Sequence, residues 1–297
     1  METSSANQET AIKPAPAARP GCSFPERILS IEEILGPHRA QSLRPAVYLD
    51  DGLALTVALG RYKMYVDTRD KAISVHLLTE GRWEPWIAEF LGRLAKPGMN
   101  VADVGANMGL YSLLLADRIG SAGHLWAFEP DPQNFRLLEW NLDVNGFTQR
   151  AKTFRVAAPH RRSQVRLSQE TTNLGGHSVL PEGSASTPGT FLTVDAAPLD
   201  DCIDAPLDLM KIDAEGSEPF IWDGMTRLLA ESPNVQIVME FDPCFIASKN
   251  RDPLAFLARI RAGGFSIARI RTDAGLENPS DAELACGSLS MLYLSRG

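Results

Sequence analysis

The sequence predicts an α/β fold: a mostly parallel sheet with helices on both faces and an antiparallel strand at its C-terminal end. Three observations carry this. Val101-Ala102-Asp103-Val104-Gly105-Ala106-Asn107-Met108-Gly109 is an apolar run ending in a carboxylate, then two glycines four apart, then at once an amphipathic segment. That is the order of a parallel strand turning tightly into a helix. Strand-like and helix-like stretches then alternate, as they do in a parallel sheet covered on both sides. The last two strand-like runs, 265–271 and 288–295, have no long helix between them and should therefore pair antiparallel.

The elements follow in chain order. Residues 1–24 are rich in Ala, Pro, Ser and Thr without periodicity and read as a disordered tail. Residues 25–95 read as a small N-terminal β-rich and helical module. A short helix fits 25–35, Asp50-Asp51-Gly52 between apolar runs signals a hairpin, and Trp83–Leu94 carries helical spacing stopped by Lys96-Pro97-Gly98. The remaining 96–297 form the main domain. Strand 101–105 feeds helix 109–119. Strand 124–129 feeds a helix capped by Asp131 with Pro132 at its first position, and Asn145-Gly146 closes it. Strand 153–157 precedes an irregular excursion, 159–200, with Gly175-Gly176-His177 and a Gly/Ser/Pro-rich tip. Strand 207–213, helix 218–230, strand 234–241 and helix 253–262, again with an Asp-Pro start, lead to the two final strands. This gives seven strands.

With 297 residues, 44% apolar and 22% charged, the chain has the composition of a globular protein with one large core. A net charge of −8 argues against a general nucleic-acid binder and for good solubility, and the partner expected is a small-molecule or glycan acceptor. Arg161, Arg162 and Arg166 read as a solvated loop. No apolar run is long enough to span a bilayer, and Met1-Glu2-Thr3-Ser4-Ser5 lacks the pattern of a secretion signal. Four scattered cysteines without a C-x-x-C pair suggest reduced thiols, a cytoplasmic location and no zinc site.

Several residues point to a ligand. Gly105 and Gly109 allow backbone to approach closely, and Asn107 tolerates the left-handed conformation such loops need. Ala106 lies between them. Glu129 ends the second strand of the main domain, 20 residues after Gly109, where a carboxylate can accept both ribose hydroxyls of an adenosine-containing ligand. Pro130 could pack on the adenine, and Ala157 or Ala158 could flank it. Lys211 and Asp213 share one face of their strand. A lysine covered on both sides needs a partner, from Asp213, Glu215 or Glu240. Asp103, Glu129, Asp213 and Glu240 all fall at the carboxyl ends of strands, where open α/β sheets bind ligands.

Five segments extend this into a resemblance. Asp103-Val104-Gly105-Ala106-Asn107, Phe128-Glu129-Pro130, Leu199-Asp200-Asp201, Lys211-Ile212-Asp213-Ala214-Glu215-Gly216-Ser217-Glu218 and Met239-Glu240-Phe241 stand in the order of the FkbM family of S-adenosylmethionine-dependent methyltransferases, which the chain resembles over roughly 84–240. His177 departs from a Gly-Gly-Ser-type segment of that family. The resemblance implies a class I methyltransferase Rossmann-like fold, S-adenosyl-L-methionine as cofactor, and O-methylation of a hydroxyl on a sugar, glycan or polyketide. On that reading Asp103, Gly105, Ala106, Asn107, Gly109, Glu129, Pro130, Ala157 and Asp213 hold the cofactor. Asp213, Glu215, Glu240 and His177 are the catalytic candidates, the last three for base or acceptor positioning, a general base being worth about 10²–10⁴-fold. A Mg²⁺ site on Asp213, Glu240 and Asp242 ranks below a metal-free mechanism because no dedicated metal spacing is present. The rivals are an NAD(P)-dependent oxidoreductase, which shares the glycine turn and ribose carboxylate, and a non-catalytic binding module on the same fold.

Overall fold

The computed structural model describes residues 46–168, 176–180 and 191–296. The expected tail at 1–24, the helix at 25–35, Cys22 and the tip at 181–190 lie outside the described residues. Asp50-Asp51-Gly52 makes the expected turn, with Asp51 and Gly52 both at positive φ. It joins β1 (Val47–Asp50) to β2 (Leu53–Ala58), and β3 (Tyr62–Asp67) completes an antiparallel sheet. α1 (Ile73–Thr79) and α2 (Pro85–Leu94) follow.

The large sheet contains β4 (Asn100–Val104), β5 (His124–Phe128), β6 (Ala151–Phe154), β9 (Leu209–Ile212), β10 (Gln236–Phe241), β11 (Ser266–Ile270), the two-residue β12 (Leu276–Glu277) and β13 (Ser290–Ser295). Their order is β12-β11-β13-β10-β9-β4-β5-β6. The seven long strands are those expected, and β12 adds a short edge. β4, β5, β6, β9 and β10 are parallel, whereas β13 runs antiparallel to both β10 and β11. The reversed strand therefore lies inside the sheet, not at its rim. A separate hairpin, β7 (Ser163–Ser168) with β8 (Phe191–Ala196), occupies part of the 159–200 excursion.

Strand parity sorts the core into two layers. Val101 and Leu209 face the helices α3 (Leu110–Ile119) and α4 (Pro132–Val144), with Leu113, Leu115, Leu138 and Leu142. Ala102, Met210 and Met239 face the other side, where Ile221, Leu228, Phe256 and Ile260 pack. Those residues come from α6 (Glu218–Asp223), α7 (Thr226–Glu231) and α9 (Pro253–Ala262), and Leu199 of the short α5 (Leu199–Cys202) joins them. The single helix expected over 218–230 is thus two. It breaks at Gly224, where a Cβ would lie 2.6 Å from the Pro159 carbonyl oxygen. The Asp-Pro starts of α4 and α9 form as read, Asp131 and Asp252 each accepting from two backbone N–H groups.

The N-terminal module shares the first core layer through Met64, Val66 and Leu77. Asn141 of α4 and Asn145, which caps it, act as a surrogate strand edge for it: each accepts from and donates to one residue of β3, Asn141 to Tyr65 and Asn145 to Lys63. Among the described residues Cys202, Cys244 and Cys286 are free thiols. No described helix is long and apolar enough to cross a membrane.

Candidate active site

A cavity of about 450 Å³ opens where the parallel strands end, within the size range of small-molecule sites. The β4–α3 loop forms its floor. Gly105 and Ala106 donate to the Phe128 carbonyl at 3.0 and 2.9 Å, tying the loop to β5. Asn107 sits at φ 50°, the left-handed conformation expected of it. Its N–H donates to Glu129 Oε2 at 2.8 Å, while Glu129 Oε1 accepts from the Asp131 N–H at 2.8 Å. Glu129 is 5% exposed. Burial pushes its carboxyl up to about 8 against the lowering effect of those two N–H donors.

The opposite wall is acidic. Lys211 pairs in register with Asp103, and its Nζ lies 3.7 Å from Asp103 Oδ1 and 3.1 Å from Asp213 Oδ2. It also stands 4.8 Å above the Tyr111 ring centre. Burial alone would lower the Lys211 ammonium, but Asp213 and Asp103 hold it above the usual lysine range. Of the partners expected for this lysine Asp213 is found, and Asp103 is the one sequence reasoning omitted. Beyond them, Asp213, Glu215 and Glu240 each bring a carboxylate oxygen within 4.8 Å of the other two. Burial, then Asp213 and Glu218, push the Glu215 carboxyl up to about 8. Burial, then Asp213, Glu218 and Glu215, hold the Glu240 carboxyl well above the usual carboxylate range. So burial, more than mutual repulsion, sets these carboxyls high.

Gly105, Ala106, Asn107, Glu129, Pro130, Ala157, Ala158, His177, Asp213 and Glu215 all line the cavity. Three expected contacts do not. Asp103 is fully buried under the loop, where it accepts from Ser112 Oγ at 2.6 Å. Gly109 packs on α4, a Cβ there falling 2.8 Å from Leu138 Cδ1. Glu240 stands behind Asp213 and Glu215. His177 lies 3.5 Å from Asp131 Oδ2, which puts it beside the Glu129 end. Asp242, weighed as a metal ligand, instead caps α8 (Pro243–Ser248), accepting from Cys244 and Phe245 N–H groups.

Other wall residues escaped the sequence reading. Lys249 donates to the Glu215 carbonyl at 2.5 Å and to Ser217 Oγ at 2.8 Å, and burial lowers its ammonium. Glu218 accepts from the Ala214 N–H at 2.9 Å. Tyr111 donates to Glu84 Oε2 at 3.0 Å. Their positions depend on tertiary packing; only Glu218 carried a signal, as part of the Lys-Ile-Asp-Ala-Glu-Gly-Ser-Glu run. Met64, Ile73 and Trp83 from the N-terminal module and Val165, Leu167 and Val179 from the excursion close the cavity with apolar surface.

A doubly wound sheet, a left-handed loop against a buried glutamate and a final reversed strand define a class I methyltransferase fold with a ligand site at the strand ends. The family model described as Methyltransferase FkbM domain matches residues 103–267. The chain belongs to the FkbM methyltransferase family. Among solved structures it is similar to a methyltransferase FkbM from Methylobacillus flagellatus KT, at 18% identity and a TM-score of 0.44, covering 74% of this chain and 52% of that one. It is also similar to an O-methyltransferase from Bacillus cereus solved in complex with SAH, at 15% identity and a TM-score of 0.43, covering 72% and 83%. Comparison with curated proteins gives no match.

Proposed function

We propose that the protein transfers a methyl group from S-adenosyl-L-methionine to a hydroxyl of a sugar, glycan or polyketide-type small molecule in the cytoplasm. One observation carries the reading: a single cavity joins a left-handed loop and a buried glutamate at one end to a carboxylate wall at the other. The residues fit the donor. Each Glu129 oxygen spends one lone pair on a backbone N–H and keeps another for a ribose hydroxyl. Pro130, Ala157 and Ala158 offer small apolar surfaces for a purine. Asp213 faces the far end, where a carboxylate suits an amino group.

When bound, the donor supplies an electrophilic methyl on a sulfonium sulfur. The protein's part is to orient, to exclude water and to handle one proton. The apolar side chains from the N-terminal module and the excursion exclude water. Glu215, on the cavity surface, positions the acceptor hydroxyl and draws off its proton as oxygen bonds to carbon, with Glu240 supporting it from behind. The acidic chain, at −8 overall, favours such an acceptor over a nucleic acid. Incubating the protein with methyl-labelled donor and a small-molecule cell extract tests this: label should appear in a hydroxylated metabolite as a methyl ether. Label confined to protein or RNA, or none transferred, contradicts it.

A further inference from the structure

The acidic wall holds more carboxyls than its lysines pair. Five of them, Asp103, Asp213, Glu215, Glu218 and Glu240, gather around two amines, Lys211 and Lys249. Lys211 takes up Asp103 and one oxygen of Asp213. Lys249 spends two donors on the Glu215 carbonyl and Ser217. Glu240 is 6% exposed, and its Oε2 is buried with no hydrogen-bond partner among the described residues. Leaving a buried carboxylate oxygen unpaired is costly, so the site calls for a further positive partner.

Geometry indicates which kind. Asp213, Glu215 and Glu240 each present an oxygen, all within 4.8 Å of one another. Oxygens bound at ~2.1–2.4 Å to one ion stand ~3–4.8 Å apart across adjacent and opposite positions. The donors are all hard carboxylate oxygens, with no sulfur or imidazole, which selects Mg²⁺, Mn²⁺ or Ca²⁺ over zinc or copper. Asp213 and Glu215 line the cavity while Glu240 closes the back, so an ion there would keep its open positions toward the acceptor.

We infer that Asp213, Glu215 and Glu240 form a divalent-cation site at the acceptor end of the cavity. This deepens the proposed function and rests on it for the ion's role: held by the three carboxylates, the ion would polarise the acceptor hydroxyl and lower its pKa, easing passage of its proton to the free oxygen of Glu215. Binding of the ion itself does not depend on that role.

The test is direct binding. Full-length protein stripped with EDTA is titrated with MnCl₂ at pH 7.5, and free Mn²⁺ is read by electron paramagnetic resonance. The expected result is one Mn²⁺ per chain, displaced by Mg²⁺ or Ca²⁺. Glu240→Gln and Asp213→Asn should each weaken it at least about tenfold, the lower end of what losing even an indirect partner costs. Glu231→Gln, on an exposed helix pair with Arg227, should leave it unchanged. Glu215→Gln, on the cavity surface, supplies the same comparison if a buried variant does not fold. No Mn²⁺ binding at millimolar concentration, or equal binding in all these variants, overturns the inference. Titrating S-adenosyl-L-methionine into the same samples separates the two readings: donor binding without Mn²⁺ binding removes the cation site alone, and Mn²⁺ binding without donor binding removes the donor reading alone.

Discussion

Gly105→Ala tests how the site is held together. A Cβ at this residue would stand 1.7 Å from the Asp213 carbonyl oxygen and 2.9 Å from its carbon, and the backbone sits at φ +77°. Two costs follow. The left-handed conformation costs alanine about 1–2 kcal/mol. Relieving the contact requires the two loops to part by more than 1 Å, roughly what restores van der Waals separation. That movement pulls at the Asp213 N–H bond to the Val104 carbonyl, 3.0 Å long and buried between adjacent strands, whose loss costs about 1–3 kcal/mol. Together the penalty is about 2–5 kcal/mol, a fall of roughly 5–15 °C in the unfolding midpoint for a chain of this size. Asp213 should move with the loop, so donor affinity should fall too. Gly146→Ala is the control: it is also at positive φ, +73°, but a Cβ there meets nothing within 4 Å, so only the conformational cost of about 1–2 kcal/mol applies. Thermal unfolding with calorimetric donor titration gives both readouts. A Gly105→Ala midpoint no lower than that of Gly146→Ala, with unchanged affinity, refutes the reasoning.

The ion-pair row and the buried glutamate give further predictions. Lys211→Met leaves Asp103 and Asp213 without their shared counter-charge and should cost about 3–5 kcal/mol in urea unfolding; a loss below about 1 kcal/mol would mean those carboxyls are already neutral. Glu129 has its carboxyl raised from 4.5 to about 8, so between those pH values the folded state binds more protons than the unfolded one. Its contribution to stability is therefore present at the acidic end and lost as pH rises through about 8, by an amount of the order of 4 kcal/mol. Ligand-free wild type should lose stability relative to Glu129→Gln as pH is raised from 5 to 8 (about the titration window), and parallel pH profiles would contradict this. Glu240→Gln should lower turnover more than donor affinity, since Glu240 stands behind the acceptor wall; an unchanged rate would remove it from the mechanism.

Much of this was legible from pattern because the pattern and the packing coincide. Asp131 followed by Pro132, and Asp252 followed by Pro253, are local instructions that hold whatever surrounds them. Lys211 announced itself by being charged in a strand buried on both faces. Its partner Asp103 required the β4–β9 register, which one sequence does not print. Gly105 was legible as a special backbone position that lines the cavity, but the close approach of the Asp213 carbonyl to it depends on the fold. The break at Gly224 and the strand ending at Phe154 instead of residue 157 depend on contacts with Pro159 and β8, both distant in sequence. Lys249 and Glu84 reach the site from loops and helix ends whose polar residues look the same as solvent-facing ones until the chain is folded.

The claim beneath these predictions is that Glu129, buried yet open to the cavity, recognises the hydroxyls of an adenosyl ligand. Calorimetric titration of S-adenosyl-L-methionine into wild type and Glu129→Ala measures it most directly. One site per chain is expected, weakened about tenfold in the variant, since losing two hydrogen bonds from a buried carboxyl costs about 1–3 kcal/mol. Equal affinity in the two proteins, or no heat of binding in wild type, would contradict it.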